Sequence, residues 1–174
     1  RPILNRSFYY GYDDYRKFYR MNTTISPDLK RCAFKIPDLE KLHTSDNAAL
    51  SMDDIPDFTY RIVLDKQEIG EYDSGFDFTF SPDSKRFAYI IKENGKQFVI
   101  LDGQNSDEYD FVRELVFSPD SKRFAYTAFK NREHFIVLDN QEYKIENCDN
   151  IWGLTFSPDS MSFAYAVAVK LFRL

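Results

Sequence analysis

Alternating apolar and polar positions recur along this chain and predict short β-strands separated by tight turns. Residues 76–80 (FDFTF) carry an apolar side chain at every second place, which is the period of a strand. Residues 86–91 (RFAYII) and 97–101 (QFVIL) are rich in aromatic and β-branched residues and predict two further strands. A short polar strand is predicted near 108–111. The pattern therefore predicts a structural unit made of four consecutive strands.

Turn residues separate these predicted strands. Ser81-Pro82-Asp83-Ser84 follows the first strand, and Pro82 has a φ close to the value that the second position of a type I turn requires. Asp83 is expected to accept hydrogen bonds from nearby backbone N–H groups. Asn94-Gly95 tolerates positive φ and predicts a hairpin, and Asp102-Gly103 predicts a turn after the third strand.

The same pattern occurs four times. The phrase at 80–89 (FSPDSKRFAY) recurs letter for letter at 117–126. At 156–165 it has Met161-Ser162 in place of Lys-Arg, and at 25–34 it reads ISPDLKRCAF. The first serines of the four copies are 55, 37 and 39 residues apart. Repeats of ~40 residues with four strands each are typical of the blades of a β-propeller.

One small residue occupies the same place in every copy and favours stacked sheets. In the second strand an alanine lies between bulky neighbours, and these side chains alternate between the two faces of the sheet. The alanine lets one neighbouring sheet approach closely, and the aromatic residues fill the gap to the other. The 17% aromatic content is therefore expected to form mostly core. The four alanines are Ala33, Ala88, Ala125 and Ala164.

These units resemble the WD-like propeller repeats of the TolB type, whose hallmark is a strand, an SPDG or SPDS turn, a lysine and an apolar strand. The resemblance covers residues 25–165. It implies an all-β fold, a β-propeller with about four blade repeats, either as a complete ring or as a partial or half propeller of the bacterial style. Such repeats have no shared catalytic residues, so the resemblance assigns none here.

The organisation along the chain leaves alternatives open. Residues 1–174 are expected to form a single β-propeller domain or a fragment of one. The Tyr-rich segment 1–24 either completes a blade or forms an exposed surface. An insertion at 37–56 lies between the second and third strands of the first repeat and either carries binding or is a neutral decoration. The last repeat is truncated, and an open blade edge invites association with a second copy.

Composition narrows the classes of partner. The net charge of −5 argues against a nucleic-acid partner, which usually selects a basic face. We call the four Ser-Pro-Asp turns the corners. Lys-Arg pairs follow three of them and form either a rim for a phosphate or an acidic partner or simply solvated turns. No apolar run approaches the ~20 residues of a membrane span. Cys32 is expected to be buried, and Cys148 is expected in the outer part of its unit. These features leave the compartment open.

Sequence motifs for catalysis are missing. The chain has no nucleophile elbow, zinc-protease helix, phosphate-binding loop or dinucleotide fingerprint. His43 and His134 are 91 residues apart, so no metal site, cofactor or catalytic residue is expected. The leading hypothesis is a non-catalytic propeller module that binds another protein. The alternatives are an accessory propeller of a larger enzyme, such as a serine peptidase or a lyase, and a self-assembling structural unit.

Overall fold

The computed structural model describes residues 23–37 and 59–169, and these residues form fourteen β-strands and no helix. The first sheet contains β1 (Thr23–Ile25), β2 (Cys32–Pro37), β3 (Tyr60–Leu64) and β4 (Gln67–Tyr72). The second contains β5 (Ser74–Phe80), β6 (Phe87–Glu93), β7 (Lys96–Leu101) and β8 (Gln104–Asn105). The third contains β9 (Phe111–Phe117), β10 (Phe124–Lys130), β11 (Glu133–Leu138) and β12 (Gln141–Ile145). The fourth contains β13 (Cys148–Phe156) and β14 (Phe163–Val169).

The sheets are the blades of a β-propeller. Within each sheet the strands are antiparallel and adjacent in chain order, so every blade is a simple meander. The first strands of successive sheets contact one another, which places them on the axial side of the stack. The fold predicted from the repeats, all-β with stacked four-stranded blades, is therefore confirmed. The described residues form three four-stranded blades and two strands of a fourth.

The hydrophobic core lies between the blades. In the first three sheets the alanine of the second strand, such as the fully buried Ala33, faces the following blade. It packs there against aromatic side chains such as Phe87 and Tyr89. The second and third blades meet in the same way, and so do the third and fourth. Each blade thus has an alanine face and an aromatic face, as the alternation in the sequence predicts.

The turns have the predicted geometry. The Ser84 N–H donates to the Ser81 carbonyl over 2.8 Å, which closes the turn that contains Pro82. The Asp83 carboxylate accepts the Ser81 hydroxyl at 2.6 Å and the Lys85 N–H at 3.1 Å. These two hydrogen bonds stabilise the ionised carboxylate and hold the pKa of Asp83 below its usual value. The same geometry recurs in the other three corners.

The outer strand of the second blade differs from the prediction. Its regular part is Gln104–Asn105, directly after the predicted turn, and not 108–111. The hydroxyl of Ser106 then accepts the Val99 N–H in place of a backbone carbonyl, which interrupts the ladder. Tyr109 forms only an isolated bridge with Gln97, and Phe111 already begins β9. The prediction failed because the outer strand follows immediately after the two-residue turn Asp102-Gly103.

Three sequence predictions fall wholly or partly outside the described residues. Of the Tyr-rich segment 1–24, only Thr23 and Thr24 are described, and they belong to β1. The insertion at 37–56 falls between the end of β2 at Pro37 and the start of β3 at Tyr60. The roles predicted for the Tyr-rich segment and for the insertion therefore stay predictions. His43 lies in the insertion, within the undescribed residues 38–58. Across residues 23–37 and 59–169, nothing helical is long and apolar enough to span a membrane.

Candidate functional site

The repeated corners are joined from blade to blade by a set of polar contacts, here called the corner contact. In the second blade, the Arg86 guanidinium donates through Nε to Asp102 at 2.8 Å and through an Nη to the Lys122 carbonyl at 3.2 Å. It also lies over the Phe117 ring of the third blade, 5.3 Å from its centroid. The Asp83 N–H donates to the hydroxyl of Ser121 in the third blade at 3.0 Å. The contact therefore runs from one blade to the next.

Matching residues make the corner contact between the other blades. Arg31 lies over Phe80 and donates to carbonyls of the second corner, and the Asp28 N–H donates to the Ser84 hydroxyl. Arg123 lies over Phe156, and the Asp120 N–H donates to the hydroxyl of the fourth corner's Ser160. The recurring serines, aspartates and arginines are thus occupied in holding the blades together. Sequence reasoning placed the arginines in a rim or in solvated turns, and the structure corrects both interpretations.

The lysines of the Lys-Arg pairs differ from the arginines because they are exposed. Lys30 and Lys122 each have 82% of the side chain accessible to solvent. Their ammonium groups lie 3.9 and 3.8 Å from the aspartate of the same corner. The first and third corners therefore each carry a lysine beside a carboxylate, and this rim does not form a strongly basic surface.

A cleft of about 300 Å³ lies between the third and fourth blades, at the rim opposite the corners. Its wall on the third blade carries aromatic and cationic side chains, and its wall on the fourth blade is the start of β13. The cleft thus combines an apolar base with polar groups around it. It is lined by Phe111, Arg113, Thr127, Ala128, Phe129, His134, Asp149, Asn150 and Ile151.

The cleft is open because the repeat changes at this junction. Arg113 and Thr127 are cross-strand partners, and the matching pair in the second blade is Phe76 and Ile90. Ile90 is fully buried and Phe76 packs beside it, so two apolar side chains fill the corresponding space there. A threonine and an exposed arginine leave that space empty between the third and fourth blades. Comparison with the second blade therefore identifies the two exchanges that open the space, and the first blade has Lys35 at the place of Thr127.

The polar groups of the cleft are held in fixed positions. The Thr127 hydroxyl donates to the Arg113 carbonyl at 3.2 Å. The Arg113 guanidinium lies over the Phe111 ring at 4.3 Å, so its charge is placed on an exposed aromatic surface. His134 contacts Phe129 with 4.7 Å between the ring centroids. A cation and two aromatic rings are consequently presented side by side.

The opposite wall of the cleft is fixed by a bulge in β13. Glu114, which is a positive-φ residue in β9, accepts the Gly153 N–H at 2.8 Å and the Leu154 N–H at 3.0 Å. Gly153 has a φ of +70°, a left-handed conformation that glycine adopts without steric cost. This carboxylate joins the bulges of two neighbouring blades and sets the distance between the walls.

Both cysteines are described. Cys148 begins β13, an axial strand, so its prediction for the outer part of the unit was wrong. Burial raises the pKa of its thiol, and its Sγ donates to the Asn150 carbonyl at 3.1 Å. A protonated, hydrogen-bonded thiol is a poor nucleophile. Cys32 is only half-buried, less than its sequence position predicts.

Sequence reasoning assigned no site residue, and it missed the cleft. His134 was considered only as a metal ligand. The available signal was the set of places where the third repeat departs from the second, namely Arg113 for Phe76, Thr127 for Ile90 and His134 for Gln97. A departure from a repeat marks a site only when neighbouring departures share one face, and that required the strand register.

Comparison with known families and curated proteins gave no match. Among solved structures, the chain is similar to the β-propeller domain of the Trilobed protease from Pyrococcus furiosus, which has an open velcro topology. The identity is 14%, the match covers 74% of this chain and 43% of that chain, and the TM-score is 0.48.

Two further solved structures are similar. TolB from Acinetobacter baumannii is 20% identical over 62% of this chain and 31% of that chain, with a TM-score of 0.44. Hydrazine synthase from Kuenenia stuttgartiensis is 15% identical over 83% of this chain and 49% of that chain, with a TM-score of 0.44. The chain thus spans less than half the length of each structure. TolB is the type of propeller that the repeats resemble, and the architecture itself rests on the strand order described above.

Proposed function

We propose that this chain is a non-catalytic propeller module that binds a protein partner through the cleft between its third and fourth blades. The observation that carries the proposal is the exchange of the Phe76–Ile90 pair for Arg113–Thr127, which opens a space that two apolar side chains fill in the second blade. Scaffold residues recur in every blade, whereas a binding site needs to occur only once. The paired exchange supports recognition at this junction.

The chemistry of the cleft favours a short segment of a protein over a reacting substrate. Aromatic and arginine side chains are enriched at the centres of protein interfaces. Phe111 with Arg113 on its ring offers both an apolar surface and a positive charge. The Thr127 hydroxyl is occupied by a backbone carbonyl, and the nearby Cys148 thiol has a raised pKa. The suggested occupant is an apolar side chain with a polar group beside it, because both Arg113 and Asp149 line the cleft.

A substitution that refills the cleft tests this function. Peptides selected from a displayed random library against the full chain provide the ligand, and fluorescence anisotropy gives its dissociation constant. Thr127→Ile restores the residue found in the second blade, so we expect binding to weaken by about tenfold or more, because a buried side chain would occupy the space. Lys122→Ala, at the opposite rim, is the matched control and should bind like the unmodified protein.

Two results would contradict the proposal. One is a library selection that enriches no peptide. The other is a selected peptide that binds Thr127→Ile as tightly as it binds the unmodified chain, since its site would then lie elsewhere. Circular dichroism of both variants establishes that each remains folded.

A further inference from the structure

The two outermost sheets each present one face that no described residue covers. On the first sheet, Ala33 faces the second blade, so Cys32, Phe34 and Ile36 lie on the opposite face. On the fourth sheet, Ile151 and Leu154 face the third blade. The cross-strand partners on its other face are Asn150 with Ala168, Trp152 with Ala166, and Thr155 with Ala164. We call these the first end face and the last end face.

One end face resembles the alanine face of the interior interfaces, and the other resembles the aromatic face. The last end face carries three alanines of β14, and Ala164 is exposed although Ala88 and Ala125 are fully buried at the same position. The first end face carries Phe34 at a position that holds Tyr89 in the second blade. Each described interface joins an alanine face to an aromatic face. The last end face of one molecule therefore matches the first end face of another.

The corner residues at the two ends have changed together. In the corner contact an arginine of one blade meets a phenylalanine and a serine of the next. For a contact from the fourth blade to a first blade, the corresponding residues are Ser162, Ile25 and Leu29. All three side chains of the contact are thus replaced. The residues that serve the existing interfaces, Arg31 and Ser160, are retained.

Apolar side chains are exposed in the corners at both ends of the stack. Met161 stands in the fourth corner where Lys85 stands in the second, and its exposed fraction is 77%. Leu29 is 80% exposed and Ile25 is 59% exposed, although each belongs to a conserved corner position of the repeat. Contact between the ends would cover all three side chains.

We infer that two copies of this chain associate head to tail, with the last end face of one copy on the first end face of the other. Among the described residues no close packing joins the first sheet to the fourth, and a second copy offers each end face a matching surface. The interface uses alanine-to-aromatic packing together with Met161 against Ile25 and Leu29. Without the corner contact it lacks a polar restraint, so association depends on concentration. Head-to-tail contact ends in a ring if the rotation closes and otherwise continues into larger assemblies.

Sedimentation of the full chain over a range of concentrations tests the inference. We expect the mass to rise from one chain towards two or more. Ala166→Arg places a charge on the last end face and Leu29→Asp places one on the first, and each should weaken association by about tenfold or more, because the charge would be buried without a partner. Leu29 has a φ of +62°, which aspartate tolerates. Tyr143→Arg, on the exposed outer strand of the third blade, is the matched control.

Two further measurements sharpen the test. An equimolar mixture of Ala166→Arg and Leu29→Asp retains one intact pair of end faces, so it should associate more strongly than either variant alone. The double variant Leu29→Ser with Ser162→Arg rebuilds the serine and arginine of the corner contact and should lower the dissociation constant. A single-chain mass at every concentration overturns the inference, and so does association that survives both charged variants. Peptide binding in the cleft is measured separately in Ala166→Arg, so failure of the proposed function and failure of this inference are distinguishable.

Discussion

At the scale of single residues, neighbouring positions of the same motif have different tasks. Lys85 and Arg86 are adjacent, and both follow the second corner. The lysine side chain is exposed, whereas the arginine contacts Asp102, the third corner's carbonyls and the Phe117 ring. A planar guanidinium can stack on a ring and donate in two directions at once, which an ammonium group cannot do as well. Arg86 therefore has a structural role, whereas the adjacent Lys85 is solvated, and the effects of replacing each one can be compared directly.

That comparison gives a stability prediction. Arg86→Ala removes the corner contact between the second and third blades, so we expect the free energy of unfolding to fall by about 1–3 kcal/mol. Lys85→Ala should change it by less than about 0.5 kcal/mol, as surface substitutions usually do. Urea denaturation measures both. Equal losses for the two variants would show that the corner contact does not stabilise the fold.

The corner aspartates predict how stability depends on pH. Hydrogen bonds from Ser81 and from the Lys85 N–H lower the pKa of Asp83 below 3.8. A lowered folded-state pKa contributes stability that is present above the unfolded value and is lost as the pH falls through the folded value. Asp83→Asn should therefore unfold more easily than the unmodified protein near neutral pH. Acid titration followed by circular dichroism should show this difference shrinking below pH 3.8, and a difference that grows in acid would refute the assignment.

At the scale of elements, the bulges of the axial strands join neighbouring blades. Positive φ occurs at matching places in β5, β9 and β13, at Asp77, Glu114 and Gly153. Glu114 uses this position to accept two N–H groups of the next bulge. The fourth sheet has only two described strands, so it has fewer hydrogen bonds within itself than the other blades. Glu114 joins this sheet to the third blade together with the Arg123–Phe156 and Asp120–Ser160 contacts.

Glu114→Ala should loosen the fourth sheet selectively. It leaves the Gly153 and Leu154 N–H groups without their acceptor, and an unsatisfied N–H group costs about 1–3 kcal/mol when buried. Hydrogen–deuterium exchange should become faster in β13 and β14 and remain unchanged in β6 and β7. Glu114→Gln keeps one carbonyl acceptor and is the matched control with a smaller effect. Uniformly faster exchange in all blades would indicate global destabilisation and contradict this local role.

Most elements could be predicted because their causes are local. The Ser81-Pro82 turn and the Asn94-Gly95 hairpin depend only on neighbouring residues, and both occur in the structure. Residues 76–80 lie in a strand as predicted, but a bulge at Asp77 places Phe76 on the face opposite Phe78 and Phe80. The outer strand of the second blade could not be located by pattern alone, because the Ser106 side chain replaces a backbone acceptor there. The cleft was hidden for another reason. Its walls come from two blades, so it appears only when the register of β9, β10 and β13 is known.

At the scale of the whole molecule, the described blades form a stack with two different ends. The interior interfaces combine packing of alanine and aromatic faces with the corner contact. The ends keep the faces but lack the polar corner residues. The cleft proposed to bind a partner and the ends proposed to associate are separate surfaces. The head-to-tail and cleft proposals can therefore be tested independently on one preparation.

Because every corner contact points from a blade to its successor, the stack has a direction. An extra copy of the repeat inserted between the second and third blades would accept the corner contact from the second blade. Its own arginine would make the same contact with the third blade. Such an insertion would lengthen the molecule without disturbing what lies on either side. Gene duplication could thus add blades within the interior at little structural penalty.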